Sequence, residues 1–143
     1  MKQALIKIAP DVFKDTPVQF AYLYGSYGRG KPHPFSDLDI AVFVDDNADL
    51  TQCLELELSL SVKVDRLIDH TVSSEVRVIN HMPLSIQGKI LFDGQLIYTC
   101  NEVNRINFET RTRLLYFDFL PVIQGYQKAY IQRTLSGKYN GLH

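Results

Sequence analysis

The sequence predicts a mixed α/β layer domain with a helical tail. Three observations carry the prediction. Segments of helical and strand-like apolar spacing alternate through the first 100 residues. Leu38 to Val44 is a near-continuous apolar run, as in a strand covered on both faces. From Glu102 onward the apolar spacing is helical.

Residues 3–14 place Leu5, Ile8, Ala9, Val12 and Phe13 at helical spacing, with Pro10 a blemish and Pro17 a stop. Val18 to Tyr24 is rich in β-branched and aromatic residues and is ended by Gly25, so it reads as a strand. Ser26 to Gly30 is a tight turn or the first turn of a helix, and Lys31 to Ser36, with two prolines, is a loop. After the Leu38 strand, residues 45–47 form a turn and Leu50 to Val62 a helix. Lys63 to Asp69 reads as a short strand. Ser73 or Ser74 caps a helix through Val76 and Ile79 to about Met82. Pro83 to Phe92 fits either element. Asp93-Gly94 is a turn and Gln95 to Thr99 a last strand. The tail helix from Glu102 should kink or break at Pro121 and continue to about Leu135.

The chain's 143 residues suit one structural unit, with residues 1–100 as the core domain and 101–143 as a helical extension. The net charge is −1, which makes direct nucleic-acid binding an unlikely primary role. The balance is uneven. Residues 1–100 hold nine Lys/Arg against thirteen Asp/Glu, and 101–143 hold six against three. A tail that is an interface explains this, and so does a solvated helix face. The two cysteines, Cys53 and Cys100, lack metal spacing and read as free thiols in a reducing cytosol. The N-terminus is too polar for a secretory signal, and no run of 18 apolar residues occurs, so the expected location is cytoplasmic and away from membranes.

The chemistry concentrates between residues 25 and 43, GSYGRGKPHPFSDLDIAVF. If Leu38 to Val44 is a strand, Asp37 and Asp39 point to one face. Two ionised carboxylates held that close repel, and a hard divalent cation such as Mg²⁺, bound together with phosphates, relieves them. Gly25-Ser26 supplies the other half. It follows a strand and opens a helical turn, where free N–H groups and the helix dipole favour an anion and Gly leaves room for it. A third carboxylate is expected on a neighbouring strand. Asp65 and Asp69 share a face of the predicted 63–69 strand, and Asp65, among apolar neighbours, is the stronger candidate.

The pattern of Gly-Ser, ten residues and then Asp-x-Asp resembles the nucleotidyltransferase superfamily of DNA polymerase β. The small size makes the chain similar to the minimal nucleotidyltransferases, and most similar to MntA-type antitoxins paired with HEPN ribonuclease toxins. Gly25, Ser26, Asp37 and Asp39 match the signature, Gly28-Arg29-Gly30 looks like the family's Arg-Gly run, and Asp65 is placed by its strand reading. The resemblance implies a polymerase-β-like fold, a mixed sheet flanked by helices, over roughly residues 18–100. It implies Mg²⁺ held by Asp37, Asp39 and Asp65, ATP phosphates on Gly25, Ser26 and Arg29, and transfer of AMP to a tyrosine of the toxin. A hetero-oligomer with the toxin follows.

Plainer readings stand beside these. Arg29 and Lys31 suit solvated surface positions as well as phosphate contacts. His33, His70 and His81 show no metal-like grouping. Tyr22 and Tyr24 fit the core, as do Tyr116, Phe117 and Phe119, unless the last three face a partner. Two alternatives to catalysis on a toxin remain: inhibition by contact alone, and nucleotidyl transfer to a small molecule or tRNA.

Overall fold

The computed structural model describes residues 1–32, 35–45 and 47–139, leaving aside the side chains of residues 123 and 136–139. His33, one of the histidines weighed above, lies outside the described residues.

Helix α1, Lys2–Phe13, buries Leu5, Ala9, Val12 and Phe13, one stripe of a 3.6-residue period. Strands β1, Val18–Tyr24, and β2, Leu38–Val44, are both buried along most of their length. The single turn α2, Gly25–Gly28, follows β1 directly. Helix α3, Leu50–Leu67, starts at a capping box in which Asp49 and Gln52 each accept from the other's backbone N–H. Strand β3 is Ser74–Val78, followed by a 3₁₀ turn, Ile79–His81. Helix α4, Leu84–Asp93, strand β4, Gln95–Thr99, and helix α5, Glu102–Tyr139, are the remaining elements among the described residues.

The sheet runs β3-β2-β1-β4. β1 is antiparallel to both of its neighbours, while β2 and β3 are parallel. Alternation divides the side chains between two layers. On one face Leu23, Leu38, Ile40, Val42, Val76 and Val78 pack with Leu5, Val12 and Phe13 of α1 and Cys53, Leu60 and Val64 of α3. On the other, Phe20, Tyr22 and Ala41 meet Ile79, Ile90 and Leu91 under Phe108 of α5. Phe20 and Phe43 stack with ring centres 4.5 Å apart, and Phe108 sits 5.6 and 5.1 Å from them. Each such buried side chain contributes about 1.5–3 kcal/mol. The fold is thus the expected mixed α/β arrangement, with its strands at 18–24, 38–44 and 95–99 where the sequence put them.

Three local expectations are corrected. The strand expected at 63–69 is the end of α3. Cys53, Leu60 and Val64 keep helical spacing into that stretch, and the helix gives way only at Asp69 and His70, both with positive φ. The helix expected over 73–82 is β3 and its 3₁₀ turn. Val76 and Val78 are buried while Glu75 and Arg77 are exposed, a period of two. Pro121 does not end α5. The helix is exposed there, so water can take the carbonyl that a proline leaves without a donor.

The first half of α5 is held down. The Tyr22 hydroxyl donates to Glu109 at 2.8 Å, and Arg105 clamps Glu102 and Glu109. Gly88 of α4 lies against the Tyr116 ring, where a Cβ has no space. Beyond that contact Phe117, Phe119, Tyr126, Tyr130 and Ile131 are exposed.

Candidate active site

The end of β1 and the start of β2 bring the two halves of the motif together. Tyr24 pairs with Asp39 in the antiparallel register, so Gly25, the next residue, lies against the Asp39 carboxylate. Gly25 has φ +68°, and a Cβ there would collide with Asp39 Oδ2. Only glycine satisfies both constraints. The turn that follows is closed by Arg29 N–H donating to Gly25 O at 3.1 Å and Lys31 N–H to Ser26 O at 2.9 Å. The N–H groups of residues 25–27 precede the first i→i−4 bond of the turn and take no acceptor inside it. With four residues, α2 offers these N–H groups rather than a large dipole. The half-buried Ser26 and the exposed Arg29 flank this edge.

The third acid beside the pair is Glu75. β2 and β3 run in parallel register with Asp39 opposite Glu75 and Ala41 opposite Arg77. Asp39 is half-buried and Asp37 and Glu75 are exposed. Burial pushes the Asp39 carboxyl above the usual carboxylate range, Glu75 and then Asp37 push it further, and Arg77 and Arg29 oppose them. Burial also raises the Tyr24 phenol, again with Asp39 acting on it and Arg77 against it. Four charged groups from three segments thus act on Asp39.

Asp65, the expected third acid, is elsewhere. It lies in the last full turn of α3, and its carboxylate accepts from Ser74 N–H at 2.8 Å. Helix α3 covers the layer that Leu38 and Val76 face, whereas Asp39 and Glu75, one residue on or back, project to the opposite one. The structure brings together Gly25, Ser26, Asp37 and Asp39 and leaves Asp65 as the cap of β3. Glu75 was legible only through its place in the S-E-V-R-V alternation, which a helical reading of 73–82 conceals.

The three carboxylates of Asp37, Asp39 and Glu75 fit a hard, oxygen-liganded cation by their chemistry. They are not drawn into a finished coordination shell. Among the described residues no group of three or more His, Cys, Asp or Glu stands close enough to hold a metal ion. Glu75 instead turns one oxygen to Arg77 Nε at 3.2 Å. The donor set suits such an ion by its chemistry alone.

A separate cavity of about 500 Å³ opens at the far end of the same sheet face, between Phe43, Asn80, Gln87, Asn104 and Arg111. Three residues of β2 separate its Phe43 from Asp39, and it shares no lining residue with the carboxylate edge.

Residues 7–103 match the family described as polymerase beta, nucleotidyltransferase. The chain is 33% identical over 78 residues to protein adenylyltransferase MntA of Shewanella oneidensis, a match covering 54% of this chain and 56% of that protein. It thus spans little more than half the length of the curated relative it matches. Solved structures share the fold. One, of tri-AMPylated Shewanella oneidensis HEPN toxin in complex with MNT antitoxin, matches with a TM-score of 0.62 and 20% identity, over 94% of this chain and 99% of that one. A toxin–antitoxin crystal structure with AMP-PNP matches with a TM-score of 0.62 and 22% identity, over 94% and 98%.

Proposed function

This chain belongs to the polymerase beta nucleotidyltransferase family, and from that premise we propose that it is an antitoxin that transfers AMP from ATP to a tyrosine of a HEPN ribonuclease toxin. The observation that carries the reading is the close approach of Gly25 to the Asp39 carboxylate, which puts the N–H groups opening α2 beside clustered acids. The kinship with protein adenylyltransferase MntA supports the reaction and the HEPN complex the partner.

In this reading the N–H groups opening α2 and the Ser26 hydroxyl donate to the triphosphate, and Arg29 reaches it from the loop. Asp37 and Asp39 hold a divalent cation, and Glu75 takes the place that the sequence assigned to Asp65. When bound, Mg²⁺ neutralises the acids and the phosphates and lowers the pKa of the attacking hydroxyl. The phenol oxygen of the toxin tyrosine forms a bond to the α-phosphorus, the bond to the bridging oxygen breaks, and pyrophosphate leaves. An ordinary phenol has a pKa of about 10, so its proton needs an acceptor. Glu75, exposed on β3, would accept it. Residues 1–100 form the catalytic unit and 101–143 the extension, acting in the cytoplasm. Among the described residues no helix is long and apolar enough to cross a membrane.

The test is to incubate the chain with its toxin, ATP and Mg²⁺ and to weigh the toxin. Addition of AMP units is expected, and an unchanged toxin mass rejects the reading. The exposed aromatics of distal α5 favour one second reading, inhibition by contact alone. An Asp37→Asn variant that still protects cells fully would establish it.

A further inference from the structure

We propose that Arg77 is the resident counter-ion of the carboxylate cluster: its guanidinium pairs with Glu75, is displaced from it by the divalent cation, and so sets the cation concentration at which nucleotide binds. The inference rests on the metal-dependent reading above.

Its basis is the register of β2 and β3. Arg77 follows Glu75 by two residues, so both side chains leave the strand on the same face as Asp39. Opposite Arg77 stands Ala41, which presents only a methyl group and leaves the guanidinium free to fold back along the strand. It does so, with Nε 3.2 Å from Glu75 Oε1. The contact is longer than the 2.7 Å pairing of Arg105 with Glu102, and the side chains are 59% and 52% exposed. A pair of that kind is weak and screened by water, strong enough to offset repulsion among the acids and weak enough for a divalent ion to displace. A bidentate or buried pair would lock Glu75 away from the metal, and no pair at all would leave the acids to repel one another.

The experiment uses the full chain and titrates Mg²⁺ at fixed concentration of a non-hydrolysable ATP analogue, reading nucleotide binding by calorimetry. Arg77→Gln should lower the Mg²⁺ concentration at half-saturation by about fivefold. Arg77→Lys, which keeps the charge, should remain within about twofold of the parent. The metal-free Arg77→Gln protein should melt below the parent, and Glu75→Gln added to it should restore the midpoint. An unchanged or raised Mg²⁺ requirement in Arg77→Gln overturns the proposal. So does weaker nucleotide binding at saturating Mg²⁺, which would make Arg77 a phosphate ligand. A parent protein that takes up no Mg²⁺-nucleotide rejects the transferase reading together with the inference, whereas a parent that binds and variants that match it reject the inference alone.

Discussion

Asp39 on β2 and Glu75 on β3 stand opposite one another in a parallel pair. They are 36 residues apart in sequence, and helix α3 lies between them. The crossover that carries the chain back over the sheet is what places the second acid beside the first. Asp65 lies closer in sequence, yet it caps Ser74 from the other layer.

That arrangement separates two substitutions. Glu75→Gln should lower AMP transfer by about 10²-fold or more, since clustered charge on the metal is worth several kcal/mol, and leave the melting point near the parent's. Asp65→Ala should do the reverse. It leaves the Ser74 N–H without its acceptor and costs about 1–2 kcal/mol of stability, with transfer retained. Toxin mass spectrometry and thermal melting on both variants check the pair of outcomes.

Asp39 itself gives a pH dependence. Burial, Glu75 and Asp37 hold its folded-state carboxyl above the usual range. The folded chain therefore binds that proton more tightly than the unfolded chain. Stability falls as pH rises from about 4 through the raised value and levels off above it. Asp39→Asn removes this loss. The metal-free variant should melt about 1–3 °C higher than the parent at neutral pH, a small gain because the group is only half-buried and solvent still screens it. It should show no Mg²⁺-nucleotide shift and no transfer. Melting curves across pH 4–8 read both effects.

Gly25→Ala adds a Cβ where Asp39 Oδ2 already lies, at a φ of +68°. Backbone strain alone costs about 1–2 kcal/mol, and the collision drives the carboxylate away from the phosphate turn. Nucleotide affinity should drop more than tenfold while circular dichroism stays close to that of the parent.

Gly88→Ala tests the seat of α5. The new methyl group meets the Tyr116 ring. Overpacking of this kind costs about 1–3 kcal/mol. Hydrogen exchange should quicken along the first half of α5, and a compensating Tyr116→Ala should recover part of the loss.

Much of the core of the site is written locally. The glycine, the serine and the two aspartates lie within 15 residues, in the turn after β1 and at the start of β2, and each of those two strands is specified by its own apolar run. Helix α1 and strand β4 were legible for the same reason. Failure came where short apolar stretches obey two periods at once. Residues 63–69 carry enough alternation to pass for a strand, but the buried face begun at Cys53 continues through Val64 and keeps them helical. Residues 74–78 looked like a capped helix until pairing with β2 paid the backbone hydrogen bonds that a strand requires.

By itself, then, the sequence determined the Gly25-Ser26 turn and the Asp37/Asp39 pair, because backbone conformation and side-chain alternation over a few residues suffice to aim them. Only tertiary structure decided which third carboxylate joins them and which cation stands by. Those choices depend on the register between β2 and β3, a relation between distant segments that burial of Val76 and Val78 fixes and that no local pattern encodes.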